Sequence, residues 1–187
     1  MSVDSIEFPL SYYAISAHNK NNTFVVINTA ASVKCKNIIG KAWRVTLPDG
    51  NYEPSWMKEN MAMPFEEAVT NALHEAEYGT VNEDGTFTAA TPPTQNPCPL
   101  TFVIDRTSGK SIFTSSTAYT IRFNVDIDGN LSMEENIQMR LGWLLGFRAA
   151  QYISSSTSPW SIVSEGICYP AGPTYGFLSI NGLEIRC

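Results

Sequence analysis

Leu100-Thr101-Phe102-Val103-Ile104-Asp105-Arg106-Thr107-Ser108-Gly109-Lys110-Ser111-Ile112-Phe113-Thr114 sets two short runs of β-branched and aromatic residues on either side of a polar segment that holds Gly109. Such runs suit a pleated, half-buried surface, and glycine supplies the positive backbone angle that a tight reversal needs, so the stretch predicts a β-hairpin. The next run, Ala118-Tyr119-Thr120-Ile121-Arg122-Phe123, alternates large apolar with polar residues and predicts a third strand that extends the hairpin into a meander.

Toward the N-terminus, Tyr12 to Ile15 and Thr23 to Ile27 flank the turn-forming cluster His18-Asn19-Lys20-Asn21-Asn22, which reads as another hairpin within Phe8 to Asn28. Trp43 to Leu47 predicts a strand that ends in the tight turn Pro48-Asp49-Gly50-Asn51. After a connector, Tyr52 to Met63, Pro64 opens a helix. Its apolar residues Phe65, Ala68, Val69, Ala72, Leu73 and Ala76 recur at helical spacing, Glu66 and Glu67 sit in the first turn, and Gly79 marks the stop. Residues Thr80 to Pro99, rich in Pro, Thr, Asn and Gly, read as an extended surface loop.

Toward the C-terminus, Ser132 opens a second helix with an apolar face of Ile137, Leu141, Leu144, Leu145 and Tyr152. That helix gives way to a polar linker, Ser154 to Ser158, and Tyr175 to Ile180 predicts a closing strand. The fold class expected is α+β: an antiparallel sheet of hairpins and a meander, packed by two helices and rich in loops. The 187 residues suit a single domain, 1–187, with an N-terminal hairpin region over 1–42.

Composition narrows the function. Hydrophobic residues at 43% supply a real core, while charged residues reach only 16%, against about 25% in typical domains. Ser, Thr and Asn number 18, 16 and 14, so neutral polar groups take the place of charges. With 12 basic against 18 acidic residues the net charge is -6, which argues against a nucleic-acid or anionic-membrane partner. The first residues carry neither the basic region nor the apolar run of a signal peptide, and the longest apolar run, Leu141 to Phe147, is far short of the ~20 residues that span a bilayer. A soluble protein is expected. Cys35, Cys98, Cys168 and Cys187 form no CxxC pair and have no histidine nearby, which is the wrong spacing for zinc.

Catalysis by a nucleophile needs a neighbouring base, and only His18, in a turn, and His74, on the first helix, are available. No local motif joins either to a cysteine. Gly109-Lys110-Ser111 lacks the earlier glycine of a phosphate loop and joins two strands, so it is not one. The most specific chemical pattern is Asn124 to Glu135. Oxygen-bearing Asn124, Asp126, Asp128, Asn130, Ser132 and Glu135, with Gly129 at the sixth place, match the spacing of a calcium loop. The same residues are explained without metal by an Asp128-Gly129 turn and a capping box of Ser132 with Glu135, and no cofactor or metal is expected. Gly142 and Gly146, one turn apart, permit a close approach of the second helix to its sheet. The sequons at Asn21 and Asn130 are weak without a secretion signal.

Taken in order, Leu47-Pro48-Asp49-Gly50-Asn51-Tyr52, Asp105 to Lys110, Leu141-Gly142-Trp143-Leu144-Leu145-Gly146-Phe147-Arg148, Ser164-Glu165-Gly166 and Tyr175 to Asn181 resemble minor virion proteins of the nucleocytoplasmic large DNA viruses. Those proteins place a strand ending in a P-x-G-N-Y turn, a helix, a T-G-K hairpin, a strand, a helix ending in LLGF, a serine-glutamate segment and a closing aromatic strand in this order. The likeness spans residues 43–181. In the family the helix follows the turn directly, whereas here residues 52–63 intervene.

The resemblance implies a capsid-associated structural protein without catalytic residues, located in the virion and assembled in the host cytoplasm. Its partners would be the major capsid protein and other minor capsid proteins, with homo-oligomers also allowed, and it would neither bind nucleic acid nor insert directly in a membrane. Such viruses supply their own thiol oxidase, so a virion disulfide is compatible with the setting. The alternatives are a surface fibre or receptor- and glycan-binding module and, less favoured, a cysteine hydrolase using Cys35, Cys98 or Cys168. For architecture the expectation rests on Asp49 to Tyr52, Leu141, Leu144, Leu145, Gly142 and Gly146. For contacts it rests on Trp56, Trp160, the Pro92 to Pro99 loop and the uncharged segments Thr80 to Pro99 and Ser154 to Ser158.

Overall fold

The computed structural model describes residues 13–29, 40–53, 64–93, 96–133, 136–154 and 158–170. The predicted hairpin is present: β5 (Thr101–Ile104) pairs antiparallel with β6 (Lys110–Ser115) in the register Val103 opposite Ile112. In the turn, Gly109 takes φ +69 and the Asp105 carboxylate accepts the amides of Thr107 and Ser108.

The meander does not form. β7 (Tyr119–Arg122) leaves β6 for a second sheet, where it lies between β1 (Thr23–Asn28) and β8 (Gln151–Ile153); β6 pairs instead with β9 (Trp160–Ile167). The reason is burial. All four residues of β7 are buried, which a central strand of a large sheet achieves and the edge of a meander does not, whereas β6 alternates buried and half-buried as a strand with one open face. Tyr119 marks the crossing, its hydroxyl donating to the Phe113 carbonyl at 2.7 Å.

With β2 (Gly40–Thr46), β3 (Glu77–Val81) and β4 (Phe87–Ala89), the larger sheet runs β4-β3-β2-β1-β7-β8, and the smaller runs β5-β6-β9. Every neighbouring pair is antiparallel. The two sheets face each other across one core of Phe24, Val26, Val45, Phe102, Phe113, Ile121, Phe123 and Ile162, beside which α1 (Phe65–His74) packs. The α+β fold class holds, with little helix.

α1 buries Phe65, Ala68, Val69, Ala72 and Leu73, the stripe that its spacing predicts. It ends at His74 and not at Gly79, because Glu77 to Val81 pair with β2. Gly79 is required there for a different reason: a Cβ would lie 2.2 Å from the Thr88 carbonyl oxygen of β4. The expected Thr80 to Pro99 loop is therefore partly a hairpin, β3 to β4, closed by Asn82 and a left-handed Gly85. The N-terminal hairpin is also corrected. The turn over Ala17–Lys20 exists, but Ile15 bridges to Gly50, and β1 takes β2 and β7 as its partners.

The predicted second helix shrinks to a 3-10 turn (Ile137–Met139), capped by Asn136 and not Ser132, and a single α-turn, α2 (Leu141–Leu144). Gly146 stops it: at φ +90, with its amide bonded to the Trp143 carbonyl and that of Phe147 bonded to the Gly142 carbonyl, it completes a helix-ending motif that a side chain would strain. The chain then reverses, so Tyr152 belongs to β8. The expected strand Tyr175 to Ile180 lies outside the described residues.

Gly142 bears out the close-packing expectation, since a Cβ there would stand 2.5 Å from the Phe123 ring. Overpacking a filled site costs about 1–3 kcal/mol, more than the up to about 1 kcal/mol alanine gains over glycine in a helix. Gly142→Ala is therefore expected to lower stability by about 1–2 kcal/mol, read as a reduced urea midpoint at unchanged slope.

Candidate functional site

Three of the five motifs that carry the resemblance meet in space. The loop Leu144 to Arg148 lies against the end of β9: the Gly166 amide donates to the Gly146 carbonyl at 2.8 Å and the Tyr169 amide to the Leu144 carbonyl at 2.7 Å. The Asp105 to Lys110 turn joins them, with the Cys168 amide donating to the Gly109 carbonyl at 2.8 Å and the Ser111 amide to Ser164 Oγ at 3.0 Å. Gly146 and Gly166 are needed for this fit, since a Cβ on Gly146 would meet the Gly166 carbonyl oxygen at 2.3 Å.

At the rim of the junction Tyr152 Oη accepts the amides of Arg148 and Ala149, both at 2.7 Å, and donates to the Glu165 carboxylate at 2.8 Å. Arg148 stacks on the Trp143 ring at 4.1 Å and donates to the Trp143 carbonyl. Desolvation, with Glu165 beside it, raises the Tyr152 pKa, so this hydroxyl keeps its proton and acts as a fastener.

Of the other two motifs, Tyr175 to Asn181 lies outside the described residues, and Leu47 to Tyr52 fastens the N-terminal segment. Asn51 Oδ1 accepts the Ala14 amide at 2.7 Å, Asp49 Oδ1 accepts the Ala17 amide at 2.8 Å, Gly50 and Ile15 exchange backbone bonds, and Tyr52 Oη donates to the Pro48 carbonyl. From the other side the buried Asn21 takes the Ser16 amide and donates to the Ala14 carbonyl, so the asparagine of this sequon is a buried, hydrogen-bonded fastener.

The smaller sheet exposes one face. Rows Thr101-Thr114-Ser161 and Val103-Ile112-Val163 lie across it, followed by Lys110 opposite Ile167. Val103 and Val163 are each 50% exposed and Ile167 60%. Thr, Ser, Val and Ile dominate these rows, with Lys110 within them and the exposed Glu165 following Val163 along β9. Sequence reading missed this face because Trp160 to Ile167 was not recognised as a strand; the alternation of Ile162 and Ser164 with Val163 and Glu165 was the available signal.

Other expected contact residues are placed differently. Cys98 and Leu100 are buried, the Trp43 Nε1 donates to the Asn96 carbonyl and the Cys98 amide to the Leu73 carbonyl, so the Pro92 to Pro99 segment is fastened to the core where it is described. Ser154 is buried and accepts the Tyr119 amide, and Trp160 packs partly on the core. Trp56 and residues 155–157 lie outside the described residues.

The calcium-like loop has other uses for its oxygens. Asp126 Oδ1 accepts the amides of Asp128 and Asn130, both at 2.9 Å, around a left-handed Gly129, and Asn130 donates back to Asp126 Oδ2. Asn130 Oδ1 accepts the Phe87 amide at 3.0 Å, while Arg44 reaches the Ile127 carbonyl and lies 3.6 Å from Asp128. The loop thus folds onto the outer face of the larger sheet, where Val125 packs with Val25, Ile27, Ala42 and Val81. Glu135 lies outside the described residues, and among those described no three His, Cys, Asp or Glu side chains are placed to hold a metal.

Cys98 and Cys168 are buried free thiols, and burial pushes both pKa values up to about 12, opposite to what a thiolate nucleophile needs. Neither accepts a hydrogen bond from His18 or His74 among the described residues. Cys35 and Cys187 lie outside them. A half-open groove of about 750 Å³ runs between the end of α1 and β2–β3, lined by Arg44, His74, Glu75, Glu77, Tyr78 and Pro97 among others. Among the described residues no helix is long and apolar enough to cross a membrane. Comparison of the chain with known family models, curated proteins and solved structures gives no match.

If the Asp126 carboxylate serves its own turn, Asp126→Ala should cost about 1–2 kcal/mol in urea unfolding, the worth of charge-assisted bonds to amides. The loss should be equal with calcium and with chelator, and calcium should not move the melting temperature of the unaltered protein.

Proposed function

We propose that this protein is a structural component of a large double-stranded DNA virus particle, a minor capsid or cementing protein that acts through protein–protein contacts and carries no catalytic site. The observation that carries the reading is the open face of the smaller sheet, where Thr101, Val103, Val163 and Ile167 are exposed and Ile112 and Thr114 half-buried, with the motif junction fastened at one end of β9. Covering valine and isoleucine gains hydrophobic stabilisation, and neutral hydroxyls lose less than charges when water leaves, so a face of this chemistry suits permanent contact. The order of motifs shared with minor virion proteins supplies the setting. Major capsid protein and other minor capsid proteins are the proposed partners, and assembly in the host cytoplasm the proposed route.

Mass spectrometry of purified particles should find the protein at stoichiometric levels, and absence from particles would refute the role. Val163→Glu, at a half-exposed position on the edge strand β9, should leave melting within a few degrees of the parent protein while abolishing incorporation, because a surface change costs within about 0.5 kcal/mol but a charge buried at an interface costs far more.

The groove beside Tyr78 favours a second reading, a glycan- or receptor-binding module at the particle surface, since an aromatic ring next to the Arg44–Glu77 ion pair offers both stacking and paired hydrogen bonds. Glycan-array binding that Tyr78→Ala removes would select it over cementing.

A further inference from the structure

The outer face of the larger sheet holds a buried arginine that no described carboxylate neutralises. Arg122 is 4% exposed, and its guanidinium is desolvated enough to lower its pKa. Its Nε donates to Gln151 Oε1 at 3.0 Å, a neutral group, and no carboxylate among the described residues pairs with it. Arg44, on the same face, has both Glu77 and Asp128. Next to Arg122 on this face the Thr120 hydroxyl is fully buried and without a hydrogen-bond partner. A buried cation without an anion is costly, and buried polar groups in native proteins are almost always paired.

Arg122 lies one strand in from a sheet edge, since its neighbour β8 is the last strand of the larger sheet among the described residues. The bonds Ser154 amide to Tyr119 carbonyl and Phe123 amide to Ala150 carbonyl set the ladder, so Ala150, Tyr152 and Ser154 face β7 while the amides and carbonyls of Gln151 and Ile153 point away from the sheet. Ile153, opposite Thr120 on the outer face, is 55% exposed. Gln151, which accepts from the Arg122 guanidinium, belongs to β8 itself. A strand added there would lie about 9.5 Å from β7, two strand spacings, which an arginine and a glutamate side chain together can span.

We propose that β8 is a docking edge for an extended, acidic segment of a neighbouring polypeptide, whose backbone pairs with Gln151 and Ile153 and whose carboxylate pairs with Arg122. Strand addition of this kind draws affinity from main-chain bonds and specificity from alternate side chains. The edge is short and carries an exposed isoleucine without the lysine or proline that commonly blocks such edges. This deepens the contact role proposed above by naming a partner chemistry, and it rests on that role only for the setting in which the partner is met.

The test uses the full chain and a blocked, fluorescent hexapeptide of alternating valine and glutamate, with a counterpart carrying glutamine for glutamate. The glutamate peptide should bind saturably and about ten-fold or more tighter than the glutamine peptide, as expected when a charged pair is replaced by a neutral one. Arg122→Gln should erase that preference, Arg122→Lys should retain part of it, and Ile153→Pro should weaken both peptides. Equal binding of the two peptides, or binding of neither, by the unaltered protein overturns the proposal whether or not the variants fold. Displacement of the glutamate peptide by inorganic phosphate at equal concentration would assign a simple anion site and also overturn it. None of these outcomes depends on whether the protein is found in particles, so the two readings fail separately.

Discussion

Phe113 is where the two sheets are joined. Its buried ring lies 5.8 Å from Phe24 of the larger sheet, 4.9 Å from Phe102 on the neighbouring strand and 6.0 Å from Phe147 beyond α2. Phe147 passes the contact to Phe123 at 5.0 Å, and Phe65 of α1 closes on Phe102 at 6.0 Å. Aromatic pairs at these separations contribute about 0.5–1.5 kcal/mol each beyond the burial of their area. The Phe113 carbonyl holds the Tyr119 hydroxyl, so the strand crossing between sheets is fastened to the same residue that packs them. The smaller sheet, α1 and the loop after α2 all take their places from this cluster.

Around that core, side chains replace much of the backbone pairing that loops lack. Asn21, Asn22, Asp49 and Asn51 hold residues 14–22 against the turn after β2; Asp105, Asp126 and Asn130 close their own turns and, for Asn130, clamp a neighbouring strand. Buried backbone groups need partners; the asparagines supply them without an ionic desolvation cost, and the aspartates do so from exposed or partly exposed positions. The abundance of Asn, Ser and Thr therefore has two origins. Part of it is structural stitching inside the molecule, and part, on the smaller sheet, faces outward beside Val103, Val163 and Ile167.

This division bears on the proposed role. The largely neutral face and the β8 edge lie on different sheets: one presents apolar area, and the other, in the proposal above, backbone bonds and a guanidinium that no described carboxylate pairs. A cementing protein meets more than one neighbour, and two surfaces of unlike chemistry would keep those neighbours distinct. The junction of the Leu144 to Arg148 loop with β9 backs the first surface and anchors the start of β8 through Tyr152, which links the resemblance motifs to both.

Local patterns were sufficient for the β5–β6 hairpin, for the buried stripe of α1, for the strand before Pro48 and for the turns at Asp49, Gly109 and Gly129, because each depends on residues within one or two turns of chain. They misled at β7, at Gly79 and along 132–152. There the same residues fit two local structures, and the choice was made by distant partners: β1 and β8 for Thr120 and Arg122, Thr88 for Gly79, and Phe123 and Gly166 for Gly142 and Gly146. The calcium-like spacing of Asp126, Asp128 and Asn130 was visible in the chain, yet their contacts with Phe87 and Arg44 were not. Sequence alone determined an antiparallel, charge-poor α+β protein with turns closed by Asp, Asn and Gly. Which strands share a sheet, which largely neutral face stays open and which arginine is buried against a neutral partner were decided only by tertiary structure, since burial on both faces of a strand depends on neighbours far away in the chain.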